Sequence, residues 1–95
     1  MATIRATKRQ ARKRQRQALE RRMRNRAVRS RVRRQMRRMR AAISDGDQEQ
    51  ISVLLPETMS VIDVGWRKGV LHRNTAARYK ARVTRQAHAV LSKEG

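Results

Sequence analysis

Apolar residues recur along this chain at helical spacing in three separate runs. At about 100° per residue, Val28, Val32, Met36, Met39 and Ile43 share an arc of roughly 80°, and every Arg from Arg26 to Arg40 falls outside it. The second run is Ile51, Leu55, Met59, Ile62 and Trp66. The third is Ala76, Tyr79, Val83, Ala87 and Val90, with Arg78, Arg82 and Arg85 on the opposite side. No stretch alternates with the period of two that marks a strand. Three amphipathic helices closing one core are expected, and short connections between them imply antiparallel neighbours, an all-α up-down-up bundle.

Helix punctuation divides the chain at the same places. Residues 4–44 contain neither Gly nor Pro and are rich in Arg, Ala, Gln and Met, so they predict one long first helix. It should stop at Ser44-Asp45-Gly46-Asp47, with Gly46 left-handed, Asp47 capping the next helix and Gln50 completing a capping box. The second helix is predicted over 48–68, with a kink or a separate first turn at Pro56, whose missing N–H frees the Ser52 carbonyl. Gly69 ends it. After a connector of Val70 to Arg73, Asn74 is the expected N-cap of a third helix over 75–92. Residues 1–95 are then a single domain, and a chain this short buries only about three-fifths to two-thirds of its unfolded surface.

The first half of the long helix does not share the bundle's pattern. Leu19 and Met23 lie about 180° from the stripe of Val28 to Ile43, so this half cannot continue the seam and must project beyond the core. It has little apolar surface to offset its ordering entropy, so it is expected to fold fully only against a polyanion.

Charge sharpens that expectation. The 95 residues carry 26 Lys and Arg against seven acids, a formal +19, and 21 of the bases are Arg. Residues 1–40 hold 18 bases and one acid, Glu20; residues 41–66 hold five acids and no base; residues 67–95 hold eight bases and one acid, Glu94. Two cationic elements therefore flank a mildly acidic one. Arg keeps its charge at physiological pH and recognises phosphate bidentately. A helix of bases without carboxylate partners repels itself unless a polyanion neutralises it.

Composition excludes other chemistry. There is no Cys, hence no disulfide, thiolate metal site or Cys nucleophile. No apolar run approaches the roughly 20 residues of a membrane span, and residues 5–17 lack the apolar region of a secretory signal. His72 and His88 stand alone, and Asp45 and Asp47 flank Gly46 as a helix-stop loop rather than a cation site, so no metal, cofactor or catalytic residue is expected. With no Phe, and with Trp66 and Tyr79 both on apolar stripes, Trp66 is expected at the edge of the core and a base-stacking platform is not expected. Helix-turn-helix, zinc-finger and zipper patterns are absent.

Several strings resemble a known family in order along nearly the whole chain. Arg24-Asn25 with Arg29-Ser30, Ala41-Ala42-Ile43 leading to Gly46-Asp47, Ile62-Asp63, and above all Lys68-Gly69-Val70-Leu71-His72-Arg73-Asn74-Thr75-Ala76-Ala77-Arg78 are similar to protein number twenty of the bacterial small ribosomal subunit. The resemblance implies a three-helix bundle with an extended first helix. It also implies direct binding to small-subunit ribosomal RNA early in assembly, between the 5′ domain and the long helix of the 3′ minor domain. No enzymatic role, cofactor or small-molecule substrate is implied. Such a protein would act as a monomer within the ribosome, cytoplasmic with an organellar ribosome as the alternative, needing few or no protein neighbours to bind.

Carried onto this chain, the RNA contacts implied are Arg5, Lys8, Arg9, Arg12, Lys13 and Arg16 of the arm; Arg24, Asn25, Arg29, Ser30 and Arg33; and Lys68, His72, Arg73, Asn74, Arg78 and Lys80. Arg82 and Arg85 join Arg78 on its exposed face. The chain departs from the family at Val64, Gly65 and Trp66, usually an Ala- and Lys-rich helix end, and at Tyr79, where a base is common. DNA compaction and a membrane-active cationic helix are the competing classes. Charge permits the first, whereas the bundle consumes the apolar faces that the second requires.

Overall fold

The computed structural model describes residues 2–92, with side chains described from Thr7 onward. Three helices follow in order: α1 (Ala2–Asp45), α2 (Gln48–Arg67) and α3 (Arg73–Leu91). The molecule measures 76 × 20 × 15 Å. Its long dimension is that of α1, since 44 residues at 1.5 Å each span about 66 Å. α2 packs against both other helices, which touch each other less. Neighbours run antiparallel, because Gln35 of α1 meets Thr58 of α2 while the start of α2, at Gln48, meets Val90 near the end of α3.

Both reversals use a left-handed glycine. Gly46 has φ +66 and Gly69 φ +73. At the first, the Gly46 and Asp47 N–H groups donate to the Ile43 and Ala42 carbonyls, both at 3.1 Å. At the second, the Gly69 and Val70 N–H groups donate to Trp66 and Gly65 at 2.9 and 3.0 Å. Each is a Schellman closure, satisfying carbonyls that the helix end would orphan. Asp47 also opens α2, its carboxylate accepting from the Gln50 N–H at 3.2 Å. The expected capping box is only half formed. The Asp47 N–H that Gln50 would receive is already given to Ala42.

The core holds Val32, Met36, Met39 and Ala42 of α1, Ile51, Leu54 and Ile62 of α2, and Ala76, Val83 and Ala87 of α3. Burying a side chain the size of Met39 or Ile62, both wholly inaccessible, contributes about 1.5–3 kcal/mol. Val28 and Ile43, at the ends of the α1 stripe, are half-buried.

On α2 the buried face is turned from the expected stripe. Leu54, Thr58 and Gly65 are buried beside Ile51 and Ile62, whereas Leu55 and Met59 are half-buried and Trp66 is 48% exposed. As the middle helix, α2 serves two neighbours. Thr58 and Gly65 meet Gln35 and Val32 of α1, and Met59 turns to Thr84 of α3. A pattern restricted to apolar residues omits the Thr and the Gly, and so rotates the face. Gly65 lets Leu71 lie close: a Cβ there would come within 2.9 Å of Leu71 Cδ1 and push that side chain aside.

Thr58 and Gln35 form a closed polar pair inside the bundle. Gln35 Nε2 donates to Thr58 Oγ1 at 3.1 Å, and that hydroxyl donates to the Leu54 carbonyl at 2.7 Å. No buried side-chain polar atom among the described residues is left unpaired.

One further local expectation is narrowed and one is corrected. α2 continues unbroken through Pro56 with no separate first turn. Pro56 and Ser52 are exposed, so the freed carbonyl is open to water, while Ile51 and Leu54 anchor that turn in the core. α3 begins two residues earlier than predicted, with His72 rather than Asn74 as N-cap. His72 Nδ1 accepts the Asn74 N–H at 3.1 Å, and the His72 carbonyl accepts from Ala76 at 3.0 Å.

Candidate nucleic-acid interface

The first half of α1 exposes its whole circumference. Every residue from Thr7 to Arg24 is exposed, including Lys8, Arg9, Arg12, Lys13 and Arg16. The side chain of Arg5 lies outside the described residues. With every side chain of this length exposed, its cations are distributed all around the helix. Glu20 is the one acid in the segment, and like charges at i, i+4 cost a few tenths of a kcal/mol per pair.

Where α1 joins the bundle, many of its cations line the rims of grooves. One open groove, of about 700 Å³, lies between α1 and the α2–α3 connector. Arg21, Arg24, Asn25 and Arg31 line one side, Lys68 and Gly69 the other, and Ala27, Val28 and Val70 complete it. It brings together three residues expected from sequence, Arg24, Asn25 and Lys68. It adds Arg21 and Arg31, which the sequence reading missed. Their signal was present, since positions 21, 24, 28 and 31 follow the i, i+3, i+7, i+10 spacing of one helix face.

A second groove, of about 370 Å³, runs between α1 and α3, with Arg33, Arg37 and Arg40 beside Tyr79 over Val32 and Met36. Arg33 was expected there; Arg37 and Arg40 share its face one and two turns on. A third, of about 760 Å³, is lined by Arg31, Arg34 and Arg38 but also by Glu57 of α2, whose carboxylate weakens it as an anion site. Arg29 is exposed and Ser30 half-buried on the same helix.

The start of α3 gathers the rest. His72, Arg73, Asn74 and Arg78 are all exposed, as is Lys68 across the connector. With Nδ1 occupied as the cap acceptor, the His72 ring proton sits on Nε2, free to donate outward. The first turn of α3 carries no acid, so the partial positive charge of the helix N-terminus adds to that of the side chains. Arg82 and Arg85 extend the exposed face along α3. Arg78 also reaches the Thr75 hydroxyl at 3.5 Å. Lys80 differs from the others. Its ammonium is held by Asp63 at 2.8 Å, the one ion pair among the described residues.

The surface is therefore two-sided. α1 and α3 present guanidinium groups with almost no carboxylate near them. The outward face of α2, with Glu49, Ser52, Val53, Pro56, Glu57 and Ser60 exposed, carries no base before Arg67 at its end. No three His, Asp or Glu side chains converge on a metal-sized site among the described residues. None of the described helices is long and apolar enough to cross a membrane.

Such a molecule falls in the class of small Arg-rich helical proteins whose surface chemistry suits polyanions. Residues 6–88 match the family model described as ribosomal protein S20, and the chain belongs to that family of structural, non-enzymatic constituents of the small ribosomal subunit. Among curated relatives, the small ribosomal subunit protein bS20 of Koribacter versatilis is 47% identical over 62 residues, 65% of this chain and 70% of that protein. The bS20 protein of Desulforudis audaxviator is 40% identical over 55 residues, 58% of this chain and 62% of its own length. That of Alcanivorax borkumensis is 44% identical over 59 residues, 62% and 67% of the two chains.

Proposed function

We propose that this protein binds small-subunit ribosomal RNA directly, through phosphate and shape contacts, and helps to fold and clamp the 5′ domain against the 3′ minor domain as the subunit assembles. It works in the cytoplasmic ribosome as a monomer, with few or no protein neighbours needed for binding. The observation that carries this reading is the unpaired cationic surface: a charge of +19 with one ion pair among the described residues. Guanidinium groups this close together cost free energy in the isolated chain and are stabilised by a polyanion. Neutralising phosphates also releases condensed counterions, which makes binding strong at low salt and steeply salt-dependent.

Geometry supports the division of labour. The arm, charged on all sides, suits a path between RNA segments, contacting both. The bundle, charged on the α1 and α3 sides, suits one RNA surface, with the base-poor face of α2 from Glu49 to Ser60 turned away. Contacts are assigned to the arm cations Arg5 to Arg16, to Arg24, Asn25, Arg29, Ser30 and Arg33, and to Lys68, His72, Arg73, Asn74, Arg78, Arg82 and Arg85. Lys80 acts first as the partner of Asp63. Replacing Arg78, Arg82 and Arg85 together by Gln tests the α3 face. The logarithmic salt slope of RNA binding should fall by about 2–3, at roughly 0.7–0.9 per phosphate, with thermal unfolding unchanged. An unchanged slope places that face in solvent.

A further inference from the structure

We propose that Trp66 is a stacking platform for an unpaired base of the RNA that the neighbouring cations hold; this rests on the RNA-binding reading above. Trp66 is the single Trp of the chain, and it is 48% exposed, although it lies one turn beyond the buried Ile62 on an apolar run. The register between α2 and α3 explains why its indole is uncovered. Met59 meets Thr84, and Asp63 pairs with Lys80. Each step of four along α2 thus matches a step of four back along α3, which brings Trp66 level with Ala76 and Ala77. Neither Ala has a side chain long enough to cover an indole, and Ala77 is itself exposed.

The electrostatic surroundings select the occupant. Arg67 and Lys68 follow Trp66 directly, and Arg73 lies one turn before Ala77 at the start of α3. All three are exposed. The nearest acid on the same side of α2 is Asp63, already neutralised by Lys80 at 2.8 Å. An exposed indole amid cations, with its one neighbouring carboxylate paired, matches how single-stranded nucleic acids are held: cations track the phosphates while a base lies on an aromatic face. An apolar protein segment docking here would have to leave those cations without water or partners. Unpaired bases in loops and bulges are what RNA offers to such a platform.

The lone Trp is its own reporter. The full chain is titrated with a short single-stranded oligoadenylate, a blunt RNA duplex of equal length and a 5′-domain ribosomal RNA fragment, following indole emission, for the unaltered protein and for Trp66→Leu and Trp66→Phe. Stacking predicts a change in emission with the oligoadenylate and the fragment but not with the duplex. It also predicts a loss of roughly 5- to 150-fold in oligoadenylate affinity for Trp66→Leu, with most of it retained in Trp66→Phe. Trp66→Leu keeps an apolar side chain, and its melting curve should match that of the unaltered chain. Emission that does not change while the fragment binds, or a Trp66→Leu protein that binds oligoadenylate as well as the original, overturns the platform and leaves phosphate-held RNA binding intact. Failure of the unaltered chain to bind any of the three RNAs overturns both.

Discussion

The two halves of α1 have nearly the same density of bases and the same helical backbone, yet one is part of a bundle and the other stands alone. From Val28 to Ile43 the apolar residues stay in phase and meet α2 and α3, and Val32, Met36, Met39 and Ala42 are buried. From Thr7 to Arg24 the large apolar residues, Leu19 and Met23, fall on the opposite side and remain 57% and 65% exposed. Local propensity makes both halves helical; phase decides which one is supported. The consequence is functional. A supported half can show cations on only one side, whereas an unsupported half can present them all around, as a strand of phosphates on either side requires.

Breaking the supported half should have the largest effect. Met39→Ala, at a wholly buried position, should destabilise the bundle by about 2–5 kcal/mol. Chemical denaturation followed by far-UV circular dichroism would measure it. A change within error would mean that the α1 stripe does not hold the core together.

Deleting residues 1–17 should do the reverse. The bundle's thermal unfolding should stay unchanged, because no core residue precedes Val28, while the logarithmic salt slope of RNA binding should fall by about 3–5. That corresponds to loss of about half to most of the phosphate contacts that the arm's seven bases can make. A lower bundle melting temperature in the truncated chain would show that the two halves are energetically coupled. Because the side chains of the arm are exposed, its helix should also gain amide protection when RNA is added. Hydrogen exchange would read this residue by residue.

A finer probe addresses the polar pair within the supported half. Thr58→Val removes the acceptor of Gln35 Nε2 and should cost about 1–3 kcal/mol, the penalty of a buried donor left unpaired. Adding Gln35→Leu should recover part of that loss, and a double-mutant cycle would measure the coupling. Strictly additive costs would mean that water replaces the missing partner.

Much of this architecture was legible in the residues. The long uninterrupted run to Ser44 predicts α1, and Gly46 and Gly69 take the left-handed conformation that their place at helix ends predicts. The third stripe coincides with the residues that α3 turns inward. The face of α2 was read less well, because a middle helix packs on two sides and buries Thr58 and Gly65, which an apolar pattern does not count. Trp66 follows Ile62 by one turn on an apolar run and so reads as core edge, yet it is 48% exposed, because burial depends on the register between helices rather than on either helix alone. The start of α3 was misplaced because a His side chain supplies the cap where Asn74 offered the more usual one.

The interface was legible as a list of cations but not as grooves. Arg24 and Lys68 are 44 positions apart and line one groove only because α1 and α2 pack antiparallel. Lys80 and Arg78 are equivalent as bases in the sequence, and only the fold, by setting Asp63 beside Lys80, separates them. Helical phase links residues on one element; which elements face each other must come from the fold.

The most direct measurement is a salt series of binding by the full chain to a small-subunit 5′-domain RNA fragment, to scrambled RNA of the same length and to duplex DNA of matched charge. Recognition of ribosomal RNA by shape predicts that the 5′-domain fragment remains bound at salt concentrations that strip both competitors. Loss of all three along one common slope would contradict it, and would leave a protein that neutralises any polyanion alike.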